Sequence, residues 1–290
     1  MKPTYFRPIA HIVTAAIAAM AASFAPSVLA VADRTDLLKI DPKNFSLPTI
    51  IDNKYMPLKP GSQQVYEGWT MDEGKKIPHK VIQVVTDLVK EINGIDTVIL
   101  WERDFKDDRL EESELVFRAQ DDKGNVWHFG EVKEVYDEND KLIGAKVWMD
   151  GVLGARSGII MPAKPAVGTP SFSQGYAKGV YNWDDRGQVR KVGEKVTVPA
   201  GTYTDVLVIE EWSGPEKKKG GLQLKYYAPA VGYIQVGFEC NDPVQEYLVL
   251  TKESQLNAKE MDEVRAEVLL VEERSYYYGR DTKPPRRRKQ

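Results

Sequence analysis

Between Val196 and Gln235 strand and turn chemistry alternate so closely that an antiparallel meander is the fold that accommodates them. Val196, Val198 and the run Val206 to Ile209 are β-branched or apolar and bracket Pro199-Ala200-Gly201-Thr202, a turn sequence. Leu222, Leu224 and Tyr226 alternate with Gln223, Lys225 and Tyr227, the two-residue period of a strand with one covered face. Pro229 and Gly232 interrupt that strand, and Tyr233 to Val236 resumes it.

The same grammar runs through the rest of the chain. Asn53 to Gly61 (NKYMPLKPG) is a turn that delivers the chain into Gln64 to Trp69. Lys80 to Val85 and Asp96 to Phe105 flank Asn93-Gly94, a strong hairpin signal. Ile82, Val85, Val89 and Ile92 would also fit one helical face; the density of β-branched residues and the lack of a capping residue favour strands. Asp121-Asp122-Lys123-Gly124 joins Leu110–Gln120 to Asn125–Tyr136, and Asp137 to Asp140 leads into Lys141–Met149. Gly151 to Gly168, broken by glycine and proline, reads as a covering loop. Phe172 to Trp183 is extended, and Val244 to Lys252 is the last strand.

Asn257 followed by Glu260 is a capping box, and Met261, Val264, Val268 and Val271 recur at helical spacing. A helix is therefore expected over 258–275, ending near Gly279, and its apolar stripe could plug or cover the concave face of the sheet. The expected fold is all-β, mainly antiparallel: a curved sheet or open barrel over residues 33–254, followed by one C-terminal helix within 255–278.

The two ends are set apart by composition. Lys2 and Arg7 precede an apolar run from Ile9 to Phe24, and Ala30-Val31-Ala32 fits a small-x-small cleavage rule, with Val28-Leu29-Ala30 competing. Residues 1–32 are expected to be a signal peptide, which places the protein in the periplasm or outside the cell; an uncleaved anchor is the alternative. Removing Lys2 and Arg7 takes the formal charge from −3 to −5. Cys240 is the sole cysteine, so no intramolecular disulfide can form, and a small buried hydrophobe is its expected role. Residues 279–290 hold Pro284 and Pro285 and a cluster of basic residues, a composition expected to be disordered. Arg286, Arg287, Arg288 and Lys289 are the candidates for electrostatic contact with an anionic envelope surface. The acidic body and the lack of aromatics among those arginines argue against nucleic acid.

Five blocks carry a family resemblance: NKYMPLKPG, AQDDKGNVWHFGE, GIIMPAKPAVGTPSFSQGY, VTVPAGTYTDVLVIEEW and KYYAPAVGYIQ. In that order, over about residues 45 to 252, they resemble an uncharacterised family of exported bacterial β-rich proteins. The VPAGT and YYAPAVG pair also resembles larger groups of periplasmic proteins whose curved sheets are related to lipoprotein-carrier half-barrels. The resemblance implies the compartment and the sheet, and it brings no activity or catalytic residue to carry over.

The residues offer little catalytic chemistry. No G-x-S-x-G elbow is present, and neither paired C-x-x-C nor H-x-x-x-H occurs, so no metal or other cofactor is expected. His128, between Trp127 and Phe129, is expected to pack, and His79 to be exposed. Asp121, Asp122 and Asn125 suit turn hydrogen bonds better than calcium. Glu111, Glu112 and Glu114, with Glu210 and Glu211, could serve paired-acid hydrolysis, but solvated strand edges are the preferred reading. What remains is binding. Trp69, Trp101, Trp127, Trp148 and Tyr226 fall in separate strand regions, and a curved sheet could gather them on one face as core or as an apolar pocket. The expectation is a non-enzymatic exported protein holding an apolar small molecule, a lipid or an envelope partner. A structural module anchored by the basic tail is the alternative, and a carboxylate-based hydrolase ranks below both.

Overall fold

Two-residue turns that need left-handed backbone set the topology. Asn93 (φ 48°) and Gly94 (φ 80°) close the hairpin between β4 (Lys75–Ile92) and β5 (Ile95–Lys106), so the helical alternative for this stretch is not adopted. The structure is a computed structural model that describes residues 37–178, 183–214, 217, 222–239, 242, 245–276 and 284–288. The expected signal peptide, Cys240 and Lys289 lie outside the described residues.

Successive hairpins join β3 (Ser62–Asp72), β4, β5, β6 (Arg109–Gln120) and β7 (Val126–Tyr136). A second run joins β12 (Asp185–Val198), β13 (Gly201–Ser213), β14 (Leu222–Ala228), β15 (Gly232–Glu239) and β16 (Tyr247–Gln255). Pairing of β16 with β3 joins the two runs into one antiparallel sheet. Strand β8 (Leu142–Met149) pairs with β7, as does β9 (Arg156–Met161). The stretch 151–168 is thus not only a covering loop: Ile159, Ile160 and Met161 sit in a strand because β7 offers them a partner beyond Gly130.

Five residues nearly close the sheet into a barrel. Strand β10 (Phe172–Ser173) pairs with β12, while β11 (Gly175–Tyr176) pairs with β9 at the opposite end of the strand order. Between them, buried Gln174 donates its backbone N–H to Asp185 O at 2.8 Å. At Gly158 a Cβ would fall 2.3 Å from both Gly175 N and Ser173 O, so only glycine lets β9 approach this seam.

Alternation assigns each strand an inner and an outer face. Along β5, Ile95, Ile99 and Trp101 point outward, whereas Val98, Leu100, Glu102 and Asp104 point inward. The outer side is covered by helix α1 (Ala258–Ser275), which begins at a complete Asn257/Glu260 capping box. Val264, Val268 and Val271 pack there on Leu88, Ile92, Leu115 and Phe117. Each such side chain contributes roughly 1.5–3 kcal/mol relative to exposure. The helix therefore covers the face opposite the cavity rather than plugging the concave side. Three ion pairs fasten it: Lys90–Glu272 at 2.5 Å, Arg274–Glu134 at 2.6 Å and Arg265–Asp87 at 2.8 Å.

The tail departs from the disorder expected of it. In β17 (Arg286–Arg287) the chain pairs with Leu88 and Val89 on the part of β4 that β3 leaves uncovered. An unpaired strand edge is a template for added backbone, and two prolines do not prevent pairing just beyond them.

Candidate inner cavity

The inner face of the barrel encloses a cavity of about 730 Å³. One part of its wall is apolar. The hairpin of β1 (Ile51–Asn53) and β2 (Met56–Leu58) packs Ile51, Tyr55 and Leu58 against Val85, Val98, Leu100, Val116 and Ile160. The rest is ionic. Nine carboxylates line it (Glu102, Asp104, Glu112, Glu114, Glu131, Asp185, Glu211, Glu246 and Glu253) against four cations, Lys59, Arg118, Lys133 and Lys225.

A β-bulge puts part of this set in place. Phe117 pairs with Gly130 but Arg118 pairs with His128, so Phe129 is an extra residue on β7. Before the bulge Val126 and His128 face inward; after it Glu131 and Lys133 do, while Val132 remains in the outer core. Without that one-residue shift Glu131 and Lys133 would point toward the helix-covered core. Gly130 makes the bulge possible: its φ is 148°, and a Cβ would lie 2.4 Å from Trp148 O.

Lys133 Nζ reaches Glu112 and Glu114 at 2.6 Å each, and the two carboxyls respond in opposite directions. Burial pushes Glu114 well above the usual carboxylate range, and the nearby Glu131 charge adds to the rise. Burial also pushes Glu112 upward, but the Lys133 charge and hydrogen bonds from Glu114 and Lys133 outweigh it and hold Glu112 low. Across the cavity Lys225 pairs with Glu211 at 2.9 Å, and Gln174 Nε2 donates to Glu211 Oε1 at 2.7 Å. Asp185 is pushed up to about 6 by burial and by Glu211. Burial likewise raises Glu246 despite His79 and Lys225. Arg118 is lowered by burial even though Glu102 and Glu131 oppose that shift, and its Nη1 is buried without a hydrogen-bond partner.

Both histidines among the described residues are buried, by different means. His79, expected on the surface, sits 2.6 Å from Asp104 and 3.3 Å from Glu246. Burial lowers its pKa, but those carboxylates outweigh burial and raise it overall. Its predicted exposure fails because β4 is an interior strand there, paired on both sides. His128 packs edge-on against Trp148 and Trp183, with ring centroids at 4.8 and 5.3 Å. Burial, then the Arg118 charge, keeps it neutral.

The acids read as solvated edges need the same correction. Strands β6 and β13 each have neighbours on both sides, so Glu112, Glu114 and Glu211 face the cavity. Glu210 is buried against Arg190 and Lys217, and Glu111 pairs with Lys106. Asp121, by contrast, is a turn residue: its carboxylate accepts from the backbone of Lys123 and Asn125, from Asn125 Nδ2 and from Trp127 Nε1.

The five aromatics singled out from sequence are not gathered into one site, and none lines the cavity. Trp101 and Trp127 belong to the core beneath the helix, bonded to Ser113 and Asp121 respectively. Trp148 stacks on Trp183 at 6.0 Å. Trp69 packs against Phe238 and Tyr247 with Lys76 over its ring, and Tyr226 borders a third cluster around Val236. In the tail, Arg286 pairs with Asp96, and Arg287 lies 3.6 Å from Asp262. The ionic cavity was missed, although Glu112, Glu114, Val116 and Arg118 alternate with Ser113, Leu115, Phe117 and Ala119. That pattern marks a strand with one apolar face and one charged face.

No protein-family model and no curated protein matches this chain. Among solved structures, it is similar to a Bacteroides fragilis protein with a YmcC-like fold, described as exported. That match has 19% identity and a TM-score of 0.42 over 70% of this chain and 100% of the other. A Parabacteroides distasonis protein described as a lipoprotein has 16% identity and a TM-score of 0.38 at the same coverage. Likeness at this level carries no argument about ligand or activity.

Proposed function

We propose that this is an exported, non-enzymatic binding protein of the bacterial envelope. Its barrel interior holds a small molecule with a cationic group and an apolar portion. The observation that carries this reading is the cavity of about 730 Å³ in which nine carboxylates outnumber four cations beside an apolar wall. The volume is in the range of small-molecule sites, about 300–1,000 Å³. An arriving cation would complement carboxylates that burial otherwise leaves short of positive partners. The apolar ligand expected from sequence thus becomes an amphipathic one. The apolar body would rest on Leu100, Val116 and Ile160, and the positive group near Glu102, Glu114 and Glu131.

The direct test is calorimetric titration with dodecyltrimethylammonium, repeated with Glu114→Gln/Glu131→Gln. Saturable binding weakened at least about tenfold in the double variant is the expected result. Equal affinity in both proteins would refute the reading.

One observation favours a second reading, acid–base hydrolysis. Glu112 is held low and Glu114 high around a shared Lys133, the divergence that assigns base and acid roles in carboxylate enzymes. Release of nitrophenol from nitrophenyl glycosides, abolished by Glu114→Gln, would favour it; no release above the buffer rate would remove it.

A further inference from the structure

A second hollow lies against the β1–β2 hairpin and shares Pro57, Leu58, Lys59 and Ala230 with the first. It is an open hollow of about 440 Å³ bordered by Ile50, Ile51, Pro57, Leu58, Pro229 and Ala230. Its charged groups are Lys54, Lys59, Arg288 and the carboxylate of Asp52. Lys54 is held by Asp205 at 2.6 Å, and Asp52 accepts from Gln120 Nε2 at 2.6 Å. Lys59 and Arg288 have no ion pair among the described residues, which leaves two uncommitted positive groups beside an apolar hollow. Lys59 also lines the barrel interior, so Arg288 is the uncommitted cation particular to this hollow.

Arg288 is brought here by the tail. Pairing of β17 with β4 and the bond from Arg288 N–H to Asp87 O at 2.8 Å fix its backbone. Arg288 is half-buried, and burial lowers its pKa, with no carboxylate among the described residues answering. Arg286 and Arg287 of the same segment do meet acids, so the lack of one at Arg288 is particular to this position. A half-buried arginine beside apolar walls is arranged as the head-group partner of an amphiphilic anion, because guanidinium binds carboxylate through paired hydrogen bonds.

We propose that this cavity is a binding site for a single-chain fatty carboxylate. Its head group would lie on Arg288 and Lys59, and its chain along Ile50, Pro57 and Pro229. The C-terminal tail is then a working part of a lipid site. Arg288 does not line the barrel interior, so substitution there tests this site separately from the interior.

The test is calorimetric titration of the purified protein with dodecanoate, with dodecyltrimethylammonium as the probe of opposite charge. Three variants are compared: Arg288→Glu, Arg288→Lys and the interior Glu114→Gln. Arg288→Glu is expected to weaken dodecanoate by about tenfold or more, the loss of one charge-assisted contact, and Arg288→Lys by less. Glu114→Gln is expected to leave dodecanoate affinity unchanged. Circular dichroism melts that match the parent keep the comparison meaningful, since Arg288 lies outside the barrel wall. Dodecanoate binding that is undiminished in Arg288→Glu, or lost in Glu114→Gln, would overturn the proposal. So would a parent protein that does not bind dodecanoate. Failure of dodecyltrimethylammonium alone would count against the reading of the barrel interior and leave this site standing.

Discussion

The helix-covered face and the barrel interior are built from alternate residues of the same strands, yet they solve opposite problems. Beneath the helix, apolar side chains interlock around a buried ion pair, Lys90–Glu272, both members of which are almost inaccessible. Inside the barrel, Lys133 is divided between two glutamates, Arg118 keeps an unbonded nitrogen, and three carboxyls are pushed upward by burial. Unbonded atoms occur on both faces, Arg103 Nε and Asp87 Oδ1 toward the helix as well as Arg118 Nη1 inside; what separates the faces is number, with nine carboxylates and four cations lining the interior. That concentration of charge is what the proposed function rests on.

The contrast can be broken first at the ion pairs. Lys90→Met strands Glu272 in a dry core and is expected to cost about 3–5 kcal/mol in urea unfolding, while Lys90→Met/Glu272→Leu recovers most of it. Lys133→Met is expected to cost clearly less, because its partners can take up protons or water. Equal costs at the two sites would mean that the interior is simply a second core.

Gly130→Ala comes next. It places a Cβ against the Trp148 carbonyl and should cost about 1–3 kcal/mol. Because the bulge sets which way Glu131 and Lys133 point, binding of the cationic probe should fall as well. Lost stability with intact binding would separate the bulge from the site.

The pH response sharpens the comparison further. Asp185 titrates near 6 in the folded protein against an ordinary value of 3.8, so the folded state binds this proton more tightly than the unfolded chain does. The stability it contributes is complete below about pH 4 and is lost as pH rises through about 6, a change of up to about 3 kcal/mol. Unfolding curves of Asp185→Asn should lack that decline, and an unaltered pH profile would show that Asp185 is not the group responsible. The smallest effect is expected at the exposed Arg286–Asp96 pair, where Arg286→Ala should change stability by no more than about 1 kcal/mol. A larger loss would mean that the tail supports the barrel.

Much of the fold was legible because local chemistry and tertiary packing agree. Asn93-Gly94 and Asp121 to Gly124 turn the chain where their residues predict, and Asn257 with Glu260 opens the helix at the expected place. Which side the helix covers was not legible, since both faces of β4 and β5 carry apolar residues. Strand β9 was hidden by its glycines, one of which, Gly158, is there to let the seam close. The site was harder. Tryptophans attract attention as ligand platforms, but Trp101 and Trp127 fall on the same side of their strands as the helix. The glutamates looked like edge charges because nothing local reveals that β6 and β13 each have two neighbours. The bulge at Gly130, which turns Glu131 and Lys133 inward, is a long-range feature that alternation alone would have placed wrongly.

The most direct test of the central claim is the affinity of the barrel for dodecyltrimethylammonium measured by calorimetry from pH 5 to pH 8. Asp185, pushed up to about 6 by burial and by Glu211, must lose its proton when a cation enters, so affinity should rise with pH through about 6, with proton release seen in buffers of different ionisation enthalpy. Absence of binding, or an affinity flat across that range, would contradict the account.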